Sequence, residues 1–321
     1  MQIAYQNHYL VNAKPLSFSI KDSTFFVNPF EFHINDGRLE GVVTGGNQPE
    51  GHFKMSNFNA EILTQFLDDP RFQMSGIVFG EIWMQWISDA VDLDADLSLK
   101  NGTYMDEPFD EMTLSFLYKR GLLHMDDISM TRGEHMGIQA NGVIPLGKKH
   151  IGRTPISLRS TFSNLSLGFV HKFIPDFFTL GGEVTGALHL NGFPDNTQFS
   201  YNMDIQDAVF DLINLGHVVG KGKYDGRRLF LESAKAIRHD GEISAYGSIP
   251  IDLNISSVNK GQFYYGDSLD FHTNAQISSL PFLSPYIVDL DSVRGDFNIS
   301  LSLTGPSESI QRSGKIGRAH V

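Results

Sequence analysis

The chain has 321 residues, 41% of them hydrophobic, with no cysteine and a formal net charge of −12 at pH 7. That charge opposes nucleic acid as a partner, because phosphate binding needs clustered cations; the acidity serves solubility instead. The missing cysteines exclude disulfides and thiolate zinc sites, and no run approaches the roughly 18 apolar residues of a membrane span.

The opening residues, MQIAYQNHYLVNAKPLSFSI, lack the basic n-region and the apolar core of a signal peptide. Strands are predicted near Leu16–Ile20, Thr24–Val27, Phe30–Ile34 and Arg38–Thr44, with turns at Asn28-Pro29, Asn35-Asp36-Gly37 and Gly45-Gly46. A further strand, His52–Met55, leads into Ala60–Leu67, where Ile62, Leu63, Phe66 and Leu67 share one helical face before Asp68-Asp69-Pro70. Similar short helices are expected at Leu167–Ile174, stopped by Pro175, and at Leu280–Val288, interrupted by Pro285. Each precedes a glycine-rich strand, and each is either a plug on the sheet or a gate.

Those glycine-rich strands belong to a repeat. Gly76-x-Val78-x-Gly80-x-Ile82-x-Met84 matches Gly182-x-Val184-x-Gly186-x-Leu188-x-Leu190 at an offset of 106 (76 to 182). At that offset Leu93, Ala95, Leu97 and Leu99 fall on Phe199, Tyr201, Met203 and Ile205. Gly142-Val143-Ile144-Pro145 recurs as Gly247-Ser248-Ile249-Pro250, and a third start is Gly295-x-Phe297-x-Ile299-x-Leu301-x-Leu303. The expected organisation is the tail of a preceding repeat at 1–50, a first repeat at 51–150, a second at 151–255 and a truncated third at 256–314. Neither end carries a capping unit, which such an array needs, so the chain reads as an internal piece of something longer. The last residues, Ile316-Gly317-Arg318-Ala319-His320-Val321, break the pattern and match an in-frame translation of a common sequencing-adapter oligonucleotide. Residues 315–321 are therefore expected to be non-native read-through.

Strict period two gives each strand one apolar and one polar face. The inward series is Val78, Ile82, Met84, Leu93, Leu97 and Leu99 in the first copy. It is Val184, Leu188, Leu190, Phe199, Tyr201, Met203 and Ile205 in the second, and Phe297, Ile299, Leu301 and Leu303 in the third. Glycines at 76, 80, 182 and 186 are read as leaving room on that face and allowing sharp curvature. The resulting expectation is an all-β fold: a curved, mainly antiparallel sheet with an apolar groove, built from repeats of roughly 105 residues, with short amphipathic helices.

No catalytic, metal or cofactor motif emerges. Asp92-Leu93-Asp94-Ala95-Asp96 begins like a calcium loop but has Leu97 at the sixth position and Thr103 at the twelfth; the aspartates read as a solvated face. Gly220-Lys221-Gly222-Lys223 lacks P-loop spacing and reads as a basic turn. His124, His135, His217 and His239 read as surface or turn residues, and Glu232 and Glu242 sit on different strands with nothing to position them.

The runs GGEVTGALHLNG, FSYNMDIQDAVFDL and YDGRRLFLESAKAIRHDGEISAYGSIPIDL resemble the repeated segments of the TamB and AsmA-like family. The resemblance covers most of residues 30–305 and rests on glycine and apolar positions. It implies a periplasmic β-groove in a Gram-negative envelope, anchored to the inner membrane through an N-terminal region outside this chain. It further implies phospholipid as the cargo carried between inner and outer membranes, and an outer-membrane assembly protein as a partner. The expected role is then a non-enzymatic one: the inward series shields acyl chains. A structural or adhesive β-array with a self-filled core is the other reading.

Overall fold

The computed structural model describes residues 2–5, 8–21, 24–65, 73–87, 90–147, 149–171, 180–211, 213–257, 261–264, 266–279 and 294–318. Most of the described residues lie in strands and only two short helices interrupt them, so the fold is all-β, an open, curved antiparallel sheet architecture. The chain divides into two units, Met1–Ile151 and Gly152–Val321.

The first unit contains β1 (Gln2–Tyr5), β2 (His8–Asn12), β3 (Phe18–Lys21), β4 (Thr24–Ile34), β5 (Gly37–Thr44), β6 (Glu50–Asn59), α1 (Ala60–Gln65), β7 (Ile77–Ile87), β8 (Ala90–Tyr104), β9 (Glu107–Lys119), β10 (Leu122–Arg132) and β11 (Met136–Pro145). From β4 to β11 each strand pairs antiparallel with the next. The other edge of β4 is shared by β3 and β2, and β1 pairs with β2. The second unit contains β12 (Ile156–Ser166), α2 (Leu167–His171), β13 (Leu180–Phe193), β14 (Asn196–Phe210), β15 (Ile213–Asp225), β16 (Arg228–Arg238), β17 (Gly241–Ile249), β18 (Ser268–Ser279), β19 (Arg294–Pro306) and β20 (Gln311–Arg318). It is an uninterrupted antiparallel meander.

The repeat is carried in element lengths as well as in residues. Strands β8, β9 and β10 equal β14, β15 and β16 in length and begin 106 residues earlier, at 90, 107 and 122 against 196, 213 and 228. Their irregularities repeat too. The register shift between Met125 and Ile128 recurs between Leu231 and Ala234. The shifts at Met55/Phe58 and Phe162/Leu165 each contain a left-handed asparagine, Asn57 (φ 52°) and Asn164 (φ 47°). Asparagine tolerates that conformation better than most residues, so the extra residue of each bulge sits where the strand must bend.

The helices are single capped turns. Asn59 Oδ1 accepts the Glu61 N–H at 2.8 Å, and Ser166 Oγ accepts the Gly168 N–H at 3.2 Å; both residues are N-caps. Ala60 and Ile62 of α1 and Leu167 and Phe169 of α2 are buried. Burial of both inward residues in each helix fits a plug. Residues 66–67, 172–174 and the helix expected at 280–288 lie outside the described residues.

Three expectations need correcting. No turn interrupts β4 at Asn28-Pro29; the strand runs through, with a register shift between Val27 and Phe30. A proline has no N–H for the ladder, and a bulge removes the need for one. Gly220–Lys223 is not a turn but the middle of β15, opposite Asn202 and its neighbours on β14. The sequence predicts only a short strand at Leu229–Leu231, and the structure extends it over the whole of β16. At the C-terminal end, β20 pairs through Arg318, with Ile316 opposite Ile299; backbone pairing on an edge demands little of the side chains.

Candidate functional site

In the second unit the inward residues fall directly across from one another. Val184, Gly186, Leu188 and Leu190 on β13 stand opposite Ile205, Met203, Tyr201 and Phe199 on β14. Those four stand opposite Val218, Gly220, Gly222 and Tyr224 on β15, which in turn face Ala236, Ala234, Leu231 and Leu229 on β16. The row continues through Ile243, Ala245, Gly247 and Ile249 on β17 and through Ala275, Thr273 and Phe271 on β18. On β19, Phe297, Ile299, Leu301 and Leu303 close it. Beyond lies β20, where Arg312 and Gly314 oppose Leu303 and Leu301. Leu301, beside Gly314, is 37% exposed.

The first unit repeats the arrangement. Val78, Gly80, Ile82 and Met84 on β7 stand opposite Leu99, Leu97, Ala95 and Leu93 on β8, which face Met112, Leu114, Phe116 and Tyr118 on β9. Met130, Ile128, Met125 and Leu123 on β10 extend the face, as do Phe58, Met55, Phe53 and Gly51 on β6. The β9, β10, β15 and β16 contributions were not singled out from the sequence, although Met112-x-Leu114-x-Phe116-x-Tyr118 carries the same period-two signal.

These faces are packed sideways but not covered. Of the inward series, only Val78, Leu99 and Val184 are buried, and the rest other than Leu301 remain half-buried. Deep burial gathers beside the helices, where Phe58, Ala60 and Ile62 in one unit match Leu165, Leu167 and Phe169 in the other; in the middle of the first unit's row the small Ala95 and Met112 are buried as well.

At the end of the second unit away from α2, residues 250–257 and 261–264 meet the strand ends and are held by a polar knot. The Tyr224 hydroxyl donates to Gly226 O at 2.9 Å and accepts the Leu253 N–H at 2.9 Å. Asn254 Oδ1 accepts the Thr197 N–H at 2.9 Å, while Asn254 Nδ2 donates to Gly226 O. The Thr197 hydroxyl accepts the Ile255 N–H, and Ser257 donates to Asp252 Oδ2 at 2.6 Å. Burial pushes the Tyr224 phenol up. On the open part of the face, burial followed by the charge of Glu232 pushes the Tyr201 phenol up to about 12. Both therefore stay protonated near neutrality.

The glycines serve a different purpose from the one expected. A Cβ on Gly80 would come within 2.1 Å of Asp96 O, and one on Gly186 within 2.1 Å of Asn202 O. The space is filled by the next strand's backbone, so these residues permit close strand approach and leave no vacancy for a ligand. Gly222 does the same, with Phe230 O at 2.1 Å from an added Cβ, and it also makes room for the Tyr201 ring, whose hydroxyl would lie at 2.5 Å.

The opposite faces are polar. His52 and Lys54 pair with Glu81 at 2.8 and 3.1 Å, and His217 with Asp204 at 2.8 Å. Hydrogen bonds from His33 and Lys14 hold the Glu31 carboxyl down to about 2. Asp94 and Asp96 are exposed, as expected of a solvated face, whereas Asp92 is buried and accepts the Arg120 N–H at 2.9 Å. Glu242 pairs with Lys235 at 2.7 Å. Among the described residues no cluster of His, Cys, Asp and Glu could hold a metal ion, and no helix is long and apolar enough to cross a membrane.

Fold and site thus define a class by geometry: open antiparallel repeats presenting an uncovered apolar face. Comparison with family models, with curated proteins and with solved structures finds no match.

Proposed function

We propose that the chain shields the acyl chains of phospholipid along its apolar faces while the lipid moves between two membranes. The observation that carries this reading is the register. Within each unit, strand after strand places its apolar residues directly opposite the last strand's, and the row stays half-buried rather than closed. An acyl chain exposed to water loses about 0.8 kcal/mol per CH₂, so a chain of ~16 carbons faces a barrier above ~10 kcal/mol. An unbroken apolar row keeps that contact nearly constant from one strand to the next, so lateral movement needs no catalytic group here. Headgroups, being polar, stay at the mouth of the face. The resemblance to the TamB and AsmA-like family supports the same reading and adds a periplasmic setting, with membrane contacts made elsewhere in the protein and a link to outer-membrane protein assembly.

The test is native mass spectrometry of the protein purified from bacterial periplasm, followed by lipid extraction. Co-purifying phospholipid is expected. It should be lost on Leu188→Asp with Met203→Asp, in a variant whose circular dichroism still reports the sheet. A folded, lipid-free wild-type protein would instead mean that the faces close on themselves, and the chain would be a structural array.

A further inference from the structure

The water-facing side of the first unit carries a concavity of about 370 Å³ that the repeat does not require. One wall is Trp83, 41% exposed. It stands directly opposite His52 on β6 and Asp94 on β8, and Asp94 in turn stands opposite Leu117 on β9. The indole and the His52 ring lie parallel, 4.9 Å apart at 7°, and His52 is itself tied to Glu81 at 2.8 Å. One indole face is therefore occupied, and the other looks across the short Asp94 side chain toward Leu117. Two strand spacings, about 10 Å, separate those walls. After van der Waals contact on each side, that leaves the thickness of one saturated ring. Among the described residues the Asp94 side chain makes no hydrogen bond or ion pair, and neither does that of Lys119 at the end of the same concavity.

We infer that this slot binds a neutral hexopyranose unit of a glycan. A pyranose has one face of C–H bonds, which suits the negatively charged face of an indole, and a rim of hydroxyls that both donate and accept. Asp94 supplies an acceptor, Lys119 a donor. An organic cation would also suit Trp83 and Asp94, but it would meet the Lys119 ammonium in the same space. An anion would meet Asp94 together with Asp92 and Glu50. Only a neutral polyol with an apolar face satisfies both charges and the wall. The volume lies within the ordinary range of small-molecule sites, roughly 300–1,000 Å³.

The repeat provides an internal control. At the 106-residue offset the inward neighbours Met84, Leu93 and Tyr118 become Leu190, Phe199 and Tyr224, all still large and apolar in body. The outward trio Trp83, Asp94 and Leu117 becomes His189, Ser200 and Lys223. The frame keeps what it needs and does not keep the slot. The His52 stack accounts for one face of the Trp83 indole, and among the described residues no ring packs on the other. The inference concerns the face opposite the lipid row and stands whether or not that row carries lipid.

The test titrates the full chain with cellobiose, maltose and chitobiose, read by tryptophan fluorescence and by saturation-transfer NMR, with tetramethylammonium and inorganic phosphate as comparison probes. At least one disaccharide should saturate with millimolar affinity. Trp83→Ala should weaken it at least about tenfold, Asp94→Asn should weaken it less, and Trp86→Phe should leave it unchanged. Both weakening changes fall on exposed positions, so either alone decides the matter if the other misfolds. No binding by any of the sugars, binding indifferent to Trp83→Ala and Asp94→Asn, or preferential binding of tetramethylammonium would each overturn the proposal.

Discussion

The two units build one frame and finish it differently. Tyr118 and Tyr224 hold equivalent places, 106 residues apart, near the ends of β9 and β15. Tyr118 is half-buried in a face that stays open beside it. Tyr224 is 1% exposed, stacked on Phe199 at 5.1 Å and bonded through its hydroxyl to Gly226 and Leu253. What differs is the following connection. In the first unit Leu146 and Gly147 donate their N–H groups to Gly121 O, and the segment stays short. In the second, residues 250–257 and 261–264 meet the strand ends, and Asp252, Asn254 and Tyr264 come together there. Repeating positions therefore set the sheet, while a connection outside the repeat decides whether one end of the face is open.

The largest effect expected from this comparison is on the knot. Tyr224→Ala removes a buried aromatic ring, a change that costs about 3–5 kcal/mol in well-packed sites, and it also leaves the Leu253 N–H without its acceptor. Tyr118→Ala, on the open face, should cost less than half as much. Urea unfolding with hydrogen exchange read separately in each unit would measure both. Equal losses would show that the knot adds nothing to the second unit.

Next in size is a contrast between two glycines on the same apolar row. Gly186→Ala would drive a Cβ to 2.1 Å from a backbone carbonyl, so β13 or β14 must shift. A destabilisation of about 2 kcal/mol or more is expected, in the range of backbone-strain mutants. Gly220→Ala meets nothing nearer than 3.8 Å. There alanine should be neutral or stabilising by about 0.4–1 kcal/mol, through the lost freedom of the unfolded chain. Thermal unfolding of the two variants separates them, and a neutral Gly186→Ala would refute the close approach of these strands.

The comparison also explains what was legible in the sequence. Period two reports which side of a strand a residue occupies, so the β13 and β14 rows and their copies in β7 and β8 were readable residue by residue. Strand β15 was not, because Gly220-Lys221-Gly222-Lys223 has the composition of a turn. Gly222 is there to admit the Phe230 carbonyl and the Tyr201 ring of the neighbouring strands, a reason that appears only once the register is known. The break expected at Asn28-Pro29 failed similarly, since proline signals the loss of a ladder bond without saying whether a turn or a bulge absorbs it. The knot was invisible for a different reason. Thr197, Tyr224, Asp252, Asn254 and Tyr264 are scattered over 68 positions (197 to 264) and have no common period. The sugar-binding slot was hidden likewise: Trp83, Asp94 and Leu117 meet only through strand pairing.

The smallest expected effect is a pH dependence that distinguishes the two ends. Burial alone would raise the Asp252 carboxyl, but hydrogen bonds from Ser257, from the Asn254 backbone, from Tyr264 and from the Asn254 side chain together outweigh it, and the pKa lies below its usual value. A carboxyl depressed in the folded state binds fewer protons there than in the unfolded chain. Its contribution is thus fully present above the unfolded pKa, near 3.9, and is lost as pH falls through the folded value. Amides of the 250–257 segment should therefore lose exchange protection below about pH 4, ahead of the equivalent 146–147 connection, which leans on no carboxylate. Asp252→Asn should flatten that dependence while lowering protection modestly at neutral pH, because an amide accepts the Ser257 hydroxyl less strongly than a carboxylate does. Parallel acid profiles for the two connections in the wild-type protein would mean that Asp252 does not hold the closure, and that the buried Tyr224 ring alone does.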